Sequence, residues 1–256
     1  MEFGVDLAER VALITGAAGG LGTVIGIELR RRGCTVIGTD VGERPSSEHP
    51  ADRWIRADLA TREGCATVST AVRDGDAARL DILVNNAGLQ HVQALSSFED
   101  DRWDELIAVM LSAPFRLSRE LWPLLVASPA ARIVNLASIH ALVASPGKAA
   151  YVAAKHGLLG LTRVQALEGG PDEICAVALC PGYVRTALVE GQLEDHARRL
   201  GIPVDEVLDR VMLEPAAIRR LIEPEEIAAH VAFLCGPAGR SVSGTSWSID
   251  GGWTAR

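Results

Sequence analysis

The sequence lacks several features that would settle its class at once. Its five cysteines, at positions 34, 65, 175, 180 and 235, form no CxxC pair, and most lie in apolar runs. They read as small buried hydrophobes in a reducing cytoplasm, not as a disulfide framework. Six histidines are scattered without HExxH or a similar spacing, so no metal site is expected. No apolar run approaches the roughly 18 residues of a membrane span. The first ten residues, MEFGVDLAER, are acidic and contain no hydrophobic leader region. The expectation is a soluble, cytoplasmic protein without a signal peptide. No basic run exceeds Arg30-Arg31-Arg32, and the net charge is −8. Nonspecific binding to nucleic acid or to an anionic membrane is therefore disfavoured. The arginine triplet instead suits the end of an amphipathic helix, where cations meet the negative end of the dipole.

What is present is ordinary for a globular protein, with 48% apolar and 23% charged residues. Short apolar runs occur at 10–15, 34–40, 53–58, 81–88, 132–138, 174–182 and 245–252. Helical patterns lie between them, near 21–32, 61–73, 99–127, 150–168 and 224–235. Such alternation predicts an α/β fold: a seven-stranded parallel sheet with helices on both faces, in one domain over 1–256. The rhythm breaks at about 183–223, a charged helical insertion after the sixth run. Its position predicts a substrate lid; a solvated helical pair serving only stability is the competing reading.

The first run is followed by TGxxxGxG, with Gly16, Gly20 and Gly22, before a helix opening at Leu21. Glycines there permit a tight turn and let backbone N–H groups approach a pyrophosphate at the positive end of the helix. Asp40 ends the second run. A carboxylate there can accept from both ribose hydroxyls of adenosine and repel a 2′-phosphate, favouring NAD over NADP; a turn or cap role is the alternative. Asp58 is a candidate for the adenine amino group. Asn86, Ala87 and Gly88 of NNAG would line the cofactor wall, the asparagines also satisfying backbone groups between strands.

The stretch SIHALVASPGKAAYVAAKHG, Ser138 to Gly157, places Lys148 three residues before Tyr151 and Lys155 four after it. On a helix both spacings put an ammonium on the tyrosine's face. The ordered set of TGxxxGxG, NNAG, a serine ending the fifth run, YxxxK and PG after the sixth resembles the short-chain dehydrogenase/reductase family over nearly the whole chain. The resemblance implies a Rossmann-type doubly wound fold, an NAD cofactor and a catalytic group of Ser138, Tyr151 and Lys155. Tyr151 would be the general base. Lys155 would lower its pKa and hold the nicotinamide ribose, and Ser138 would hydrogen-bond the reacting oxygen. Bringing a phenol from about 10 to about 7 takes roughly 4 kcal/mol. Tyr151, Lys155, Leu21, Leu59, Pro181, Gly182, Val184 and Thr186 are the further cofactor contacts the likeness implies.

One position departs from the family's pattern. WDELIAVML puts Met110 where the family usually has an asparagine that helps hold a proton-relaying water, and a thioether cannot replace an amide. Water held by backbone groups, a slowed turnover, or lost catalysis are the open readings.

Within the family, NNAGLQHV, the Ser138–Gly157 stretch, CPGYVRTALVEGQL and IDGGWTAR are similar to the D-3-hydroxybutyrate dehydrogenases. That likeness implies a substrate carboxylate held by Gln90, His140, Lys148 and Gln192. Tyr183 and Trp253 would wall the methyl end, Tyr183 standing where the family more often has tryptophan. The TSWSIDGGW tail resembles the segment through which such enzymes pair, implying a homotetramer. The residues themselves add one argument. A lysine in the first turn of the Tyr151 helix opposes the dipole, and an anionic ligand would explain it. His140 would project from the strand end into the cleft beside it. The implied activity is NAD-dependent oxidation of D-3-hydroxybutyrate, or a close small 3-hydroxy acid, to the 3-keto acid. The alternatives are a family member acting on another small hydroxy acid or a neutral alcohol, and a catalytically impaired NAD-binding protein serving regulation or assembly.

Overall fold

The computed structural model describes residues 5–75 and 78–255. The elements run β1 (Val11–Thr15), α1 (Gly20–Arg31), β2 (Thr35–Asp40), β3 (Arg53–Arg56), α2 (Arg62–Arg73), β4 (Ile82–Asn85), α3 (Asp100–Ile107), α4 (Ala113–Val126), β5 (Arg132–Leu136), α5 (Ala149–Gly169), β6 (Cys175–Pro181), α6 (Ala187–Leu200), α7 (Val204–Val207), α8 (Pro224–Cys235) and β7 (Ser246–Ile249). All seven strands pair in parallel, in the order β3-β2-β1-β4-β5-β6-β7. This is the doubly wound Rossmann-type arrangement. The chain winds outward one way from β1 and the other way from β4, so a crevice opens between the carboxyl ends of those two strands.

The central strands β4, β5 and β6 are buried along their whole length. That is why they read as unbroken apolar runs instead of alternating ones. Successive residues still face opposite layers. Ile14, Val84 and Val134 pack with Ile25, Leu29 and Val231 of α1 and α8. Leu13, Leu83 and Ile133 pack with Val68, Leu117 and Leu121 of α2 and α4.

Local chemistry sets the helix ends. Thr61 caps α2 by accepting from the Gly64 N–H at 2.9 Å. Glu223 and Glu226 form a reciprocal capping box around Pro224 at the start of α8. The single helix expected over 99–127 is instead α3 and α4 joined by a π-helical turn at Ala108–Ser112. An i→i+5 turn inserts one residue into the ladder, which a 3.6-residue apolar period does not reveal. Residues 183–223 hold α6, α7 and a second π turn, Leu208–Met212. They share a small apolar cluster of Val189, Ala197, Val207, Met212 and Leu221, with Tyr183 packed against it. The Trp253 indole donates to the Met212 carbonyl at 2.9 Å, tying this segment to the C-terminal stretch.

All five cysteines are free and buried. Among the described residues, no group of three His, Cys, Asp or Glu side chains could hold a metal ion. No helix among them is long and apolar enough to cross a membrane.

One polar network crosses the core. The Asn85 amide donates to the Asn135 side-chain oxygen at 2.7 Å. Asn135 Nδ2 donates to Thr162 and Gln165 at 2.8 Å each, and Gln165 donates to Ser118 at 2.7 Å. Five buried side chains thus link β4 and β5 to α5 and α4. Here the structure corrects one expectation. Asn85 serves this side-chain network instead of backbone groups, while Asn86 does bridge backbone, donating to the Thr15 and Gly16 carbonyls at 2.9 and 3.1 Å. Asn135→Val should therefore destabilise the protein despite adding an apolar residue, because it strands buried partners on both sides. The expected loss is about 2–4 kcal/mol of unfolding free energy in urea titrations; a loss below about 1 kcal/mol would show the network to be dispensable.

Candidate active site

The turn after β1 is built by exclusion. Gly16 adopts φ +63, and a Cβ there would stand 2.7 Å from Ala87 Cα. A Cβ on Gly22 would stand 2.2 Å from the Gly16 carbonyl oxygen, so neither position admits a side chain. Gly20 differs: nothing lies within 4 Å of where its Cβ would be. Gly19, the α1 N-cap, offers no side-chain cap, so the first N–H groups of the helix remain available to a ligand. A dinucleotide's pyrophosphate fits this cradle, with room at Gly20 and donors at the helix start.

In front of the turn lies a cleft of about 540 Å³. Its wall includes Gly16, Gly20, Leu21, Gly22, Asp40, Asp58, Leu59, Asn86, Ala87 and Gly88 on one side. Ser138, Tyr151, Lys155, Pro181, Gly182, Val184 and Thr186 are also part of it. The structure thus gathers every expected cofactor contact into one wall. Among the lining residues not expected from the sequence are Glu105 and Val109, which reach the cleft from α3 and the π turn. Their i, i+4 spacing, just ahead of Met110, is the signal that could have found them.

At the inner end of the cleft, Ser138 follows β5 in extended conformation and is 7% exposed. Its hydroxyl accepts from the His140 N–H at 3.2 Å. Lys155 is buried, and its ammonium donates to the Leu136 carbonyl at 2.6 Å, 5.6 Å from the centre of the Tyr151 ring. Burial lowers the Lys155 pKa to about 8. Burial also raises the Tyr151 phenol above its usual 10, an effect that the hydrogen bond from the Ser138 side opposes. The Lys155 ammonium is anchored on a backbone carbonyl, and in the protein alone desolvation of the phenolate outweighs the Ser138 hydrogen bond.

Beyond Tyr151 a second group converges outside the cleft wall. The His140 ring lies 5.9 Å from the Tyr151 ring and 6.4 Å from Trp253. The Lys148 ammonium stands 5.4 Å over the Tyr183 ring, and Lys148 is 2% exposed. Gln93 N–H donates to the Gly147 carbonyl at 2.9 Å, which ties the loop carrying Gln90 to the one carrying Lys148. Gln90 spends its side-chain oxygen on the His91 N–H at 3.1 Å, leaving its amide protons as donors. The Gln192 side chain lies outside the described residues.

Two placements differ from expectation. Lys148 is not in the first turn of α5 but is its N-cap residue. Gly147 before it takes φ +80, so the chain turns there and the helix begins only at Ala149. His140 does not project from a strand end. It sits in a 3₁₀ turn, Ile139–Ala141, and is buried with Nε2 2.9 Å from Ser145 Oγ. Burial first, and then the nearby Lys148, lower its pKa to about 3, so it is a neutral imidazole at physiological pH.

The fold and this site have known relatives. A family model described as enoyl-(acyl carrier protein) reductase matches residues 16–254. The chain is 40% identical to an uncharacterized oxidoreductase of Bacillus subtilis, over 98% of this chain and 100% of the relative. It is 39% identical to a D-beta-hydroxybutyrate dehydrogenase of Cupriavidus necator, again over 98% of this chain and 100% of the relative. The chain belongs to the short-chain dehydrogenase/reductase family. A crystal structure from Beutenbergia cavernae, described as NAD(P) dependent and holding NADP at low occupancy, superposes on this short-chain dehydrogenase/reductase with a TM-score of 0.84. It is 32% identical and covers 98% of this chain and 99% of its own. The protein is thus an oxidoreductase of an NAD(P)-using family.

Within this short-chain dehydrogenase/reductase, Met110 is 1% exposed and packs with Leu106, Ala150 and Ala154 against Tyr151. Its sulfur would lie 3.8 Å from a Cβ on Gly88. The slot beside the tyrosine is therefore filled and apolar.

Neutral His140 gives the protein an acid-sensitive site. An imidazole held at about 3 in the fold and free to titrate near 6.5 when unfolded favours folding fully above pH 6.5. That contribution is lost progressively as pH falls toward 3, at up to roughly 1.4 kcal/mol per pH unit. Between pH 7 and pH 5 the wild type should thus lose about 2 kcal/mol more stability than His140→Gln, measured by urea unfolding at the two pH values. Equal losses would mean that His140 does not carry the acid sensitivity.

Proposed function

We propose that this protein oxidises D-3-hydroxybutyrate, or a close small 3-hydroxy acid, to the 3-keto acid, using NAD. The observation that carries the substrate class is Lys148, a lysine 2% exposed beside His140 and Tyr183 on the far side of Tyr151. A carboxylate entering there would meet a cation in a poorly solvated site, where a charge-assisted hydrogen bond is strong. The Gln90 amide would add a donor, and Trp253 and Tyr183 would bound the short alkyl end. The likeness to a D-beta-hydroxybutyrate dehydrogenase supports the same reading.

The chemistry divides among this chain's residues. Bound NAD supplies the hydride acceptor. Tyr151 takes the hydroxyl proton of the alcohol, and Ser138 holds the same oxygen in place. Lys155, with one ammonium proton spent on Leu136, keeps two to steady the phenolate and a ribose hydroxyl. Burial alone raises the phenol, and positive charge beside Tyr151 would lower it toward the range of a working base. Asp40 supports NAD over NADP. Its two oxygens accept from the Ala18 and Val41 N–H groups at 3.0 and 2.8 Å, which fixes the carboxylate on the cleft wall. Each oxygen retains a lone pair for a ribose hydroxyl, and a 2′-phosphate would face like charge. Residues 183–223 would close over the substrate as a lid.

Met110 supports a second reading, a dinucleotide-binding protein with impaired turnover, because a buried thioether stands near Tyr151 where the family usually has an amide.

Nicotinamide reduction with both enantiomers of 3-hydroxybutyrate and a panel of neutral alcohols tests the assignment. The expected result is turnover of the D acid with NAD, at least tenfold faster than with NADP; a preference for NADP would remove the role given to Asp40. Lys148→Ala should raise KM for acids by about 10–100-fold and leave neutral alcohols nearly unchanged. Equal effects on both classes would remove the carboxylate role. Met110→Asn should raise the single-turnover rate if an amide in that slot limits proton transfer, and an unchanged rate would show that the slot is not limiting; wild-type protein that binds NAD and oxidises no alcohol would favour the impaired binder.

A further inference from the structure

The peptide joining Ala17 to Ala18, behind the glycine turn, is held at both ends. Its N–H donates to Asp40 Oδ2 at 3.0 Å. Its carbonyl, that of Ala17, accepts from Thr23 Oγ1 at 3.1 Å and lies 2.9 Å from His49 Nε2. The imidazole's other nitrogen, Nδ1, accepts from the Ala51 N–H at 3.2 Å. A backbone N–H can only donate, so Nδ1 is the bare nitrogen and Nε2 carries the proton toward Ala17. His49 is 6% exposed and meets the Trp54 ring edge to face at 5.1 Å.

The irregular segment between β2 and β3 that carries His49 is strapped down. Arg44 donates to the His49 carbonyl at 2.7 Å. Arg30 of α1 donates to the Pro50 carbonyl at 3.0 Å and pairs with Asp52 at 3.1 Å, and Asp52 accepts from the Val36 N–H at 2.8 Å. A Cβ on Gly26 would stand 2.9 Å from Pro50, so helix and strap are in close contact. Such anchoring leaves the imidazole little freedom and keeps its proton aimed at the Ala17 carbonyl at 2.9 Å, with Thr23 Oγ1 farther off at 3.5 Å.

We propose that His49 is a positioning residue for the dinucleotide turn: through the Ala17–Ala18 peptide it sets both the path of the turn and the orientation of Asp40. Donation to the Ala17 carbonyl polarises the peptide and strengthens donation from its far end to the Asp40 carboxylate. Asp40 is then held where a ribose would be met before any cofactor arrives, and binding costs less ordering. His49 itself does not line the cleft and touches no reacting atom. The inference rests on the reading that the cleft holds NAD or NADP.

The test compares the wild-type full chain with His49→Ala and His49→Gln, whose side-chain amide can still donate toward Ala17. Calorimetry measures the Kd for NAD, thermal unfolding is followed in parallel, and KM for the hydroxy acid is measured at saturating NAD. His49→Ala should raise the NAD Kd about tenfold with hydroxy-acid KM and kcat nearly unchanged, and His49→Gln should bring Kd back to within about threefold of wild type. An unchanged Kd in both variants, with only the unfolding temperature lowered, would overturn the proposal. Equal weakening by alanine and glutamine would also overturn it, assigning the effect to ring packing on Trp54. A wild type that binds neither NAD nor NADP would instead sink the dinucleotide reading itself.

Discussion

Between β1 and β4 two turns approach more closely than side chains permit. Gly16 meets Ala87 and Gly22 meets the Gly16 carbonyl at separations that a single Cβ would close. That contact sits where the winding of the sheet reverses, so it decides whether a cleft opens at the strand ends. The rest of the site depends on it. Asn86 is pinned to Thr15 and Gly16, Asp40 to Ala18, and the uncapped start of α1 is presented to the same space. A methyl group at either glycine would push these apart together.

Burial governs the chemistry at the inner end of the cleft. The same desolvation that lowers Lys155 raises Tyr151, and it keeps His140 neutral. In the protein alone, burial holds the Tyr151 phenol above its usual range, and a positive charge placed beside it would bring it down. Met110 makes that end drier still, closing with carbon and sulfur a slot beside the tyrosine. Lys148 sets a lysine side chain where water is scarce, the feature on which the proposed carboxylate site rests.

Much of this was legible in the residues. Central parallel strands are buried on both faces, so β4, β5 and β6 announce themselves as apolar runs, and turn glycines mark the start of α1. The expected cofactor contacts lie at strand ends, whose positions follow from those runs, and all line one cleft. Other features were not legible, for physical reasons. The π turn at 108–112 shifts register by one residue, too little to disturb apolar periodicity over two helices. Gly147 displaces Lys148 from α5 through a positive φ that the sequence allows but does not require. His49 acts on a carbonyl 32 residues away, and a lone loop histidine carries no sign of such a partner.

By itself, then, the order of apolar runs, glycine turns and the YxxxK pair determined the layer architecture and which residues share the cleft. These are matters of periodicity and of backbone conformations open to few residue types. Only the tertiary structure decided the protonation states and the roles of the polar groups inside. Whether Asn85 bonds backbone or side chain, whether His140 is charged, and whether Lys155 faces a phenol or a carbonyl depend on desolvation and on partners distant in the chain. Those energies are set by what surrounds a group once folded, and no local pattern encodes them.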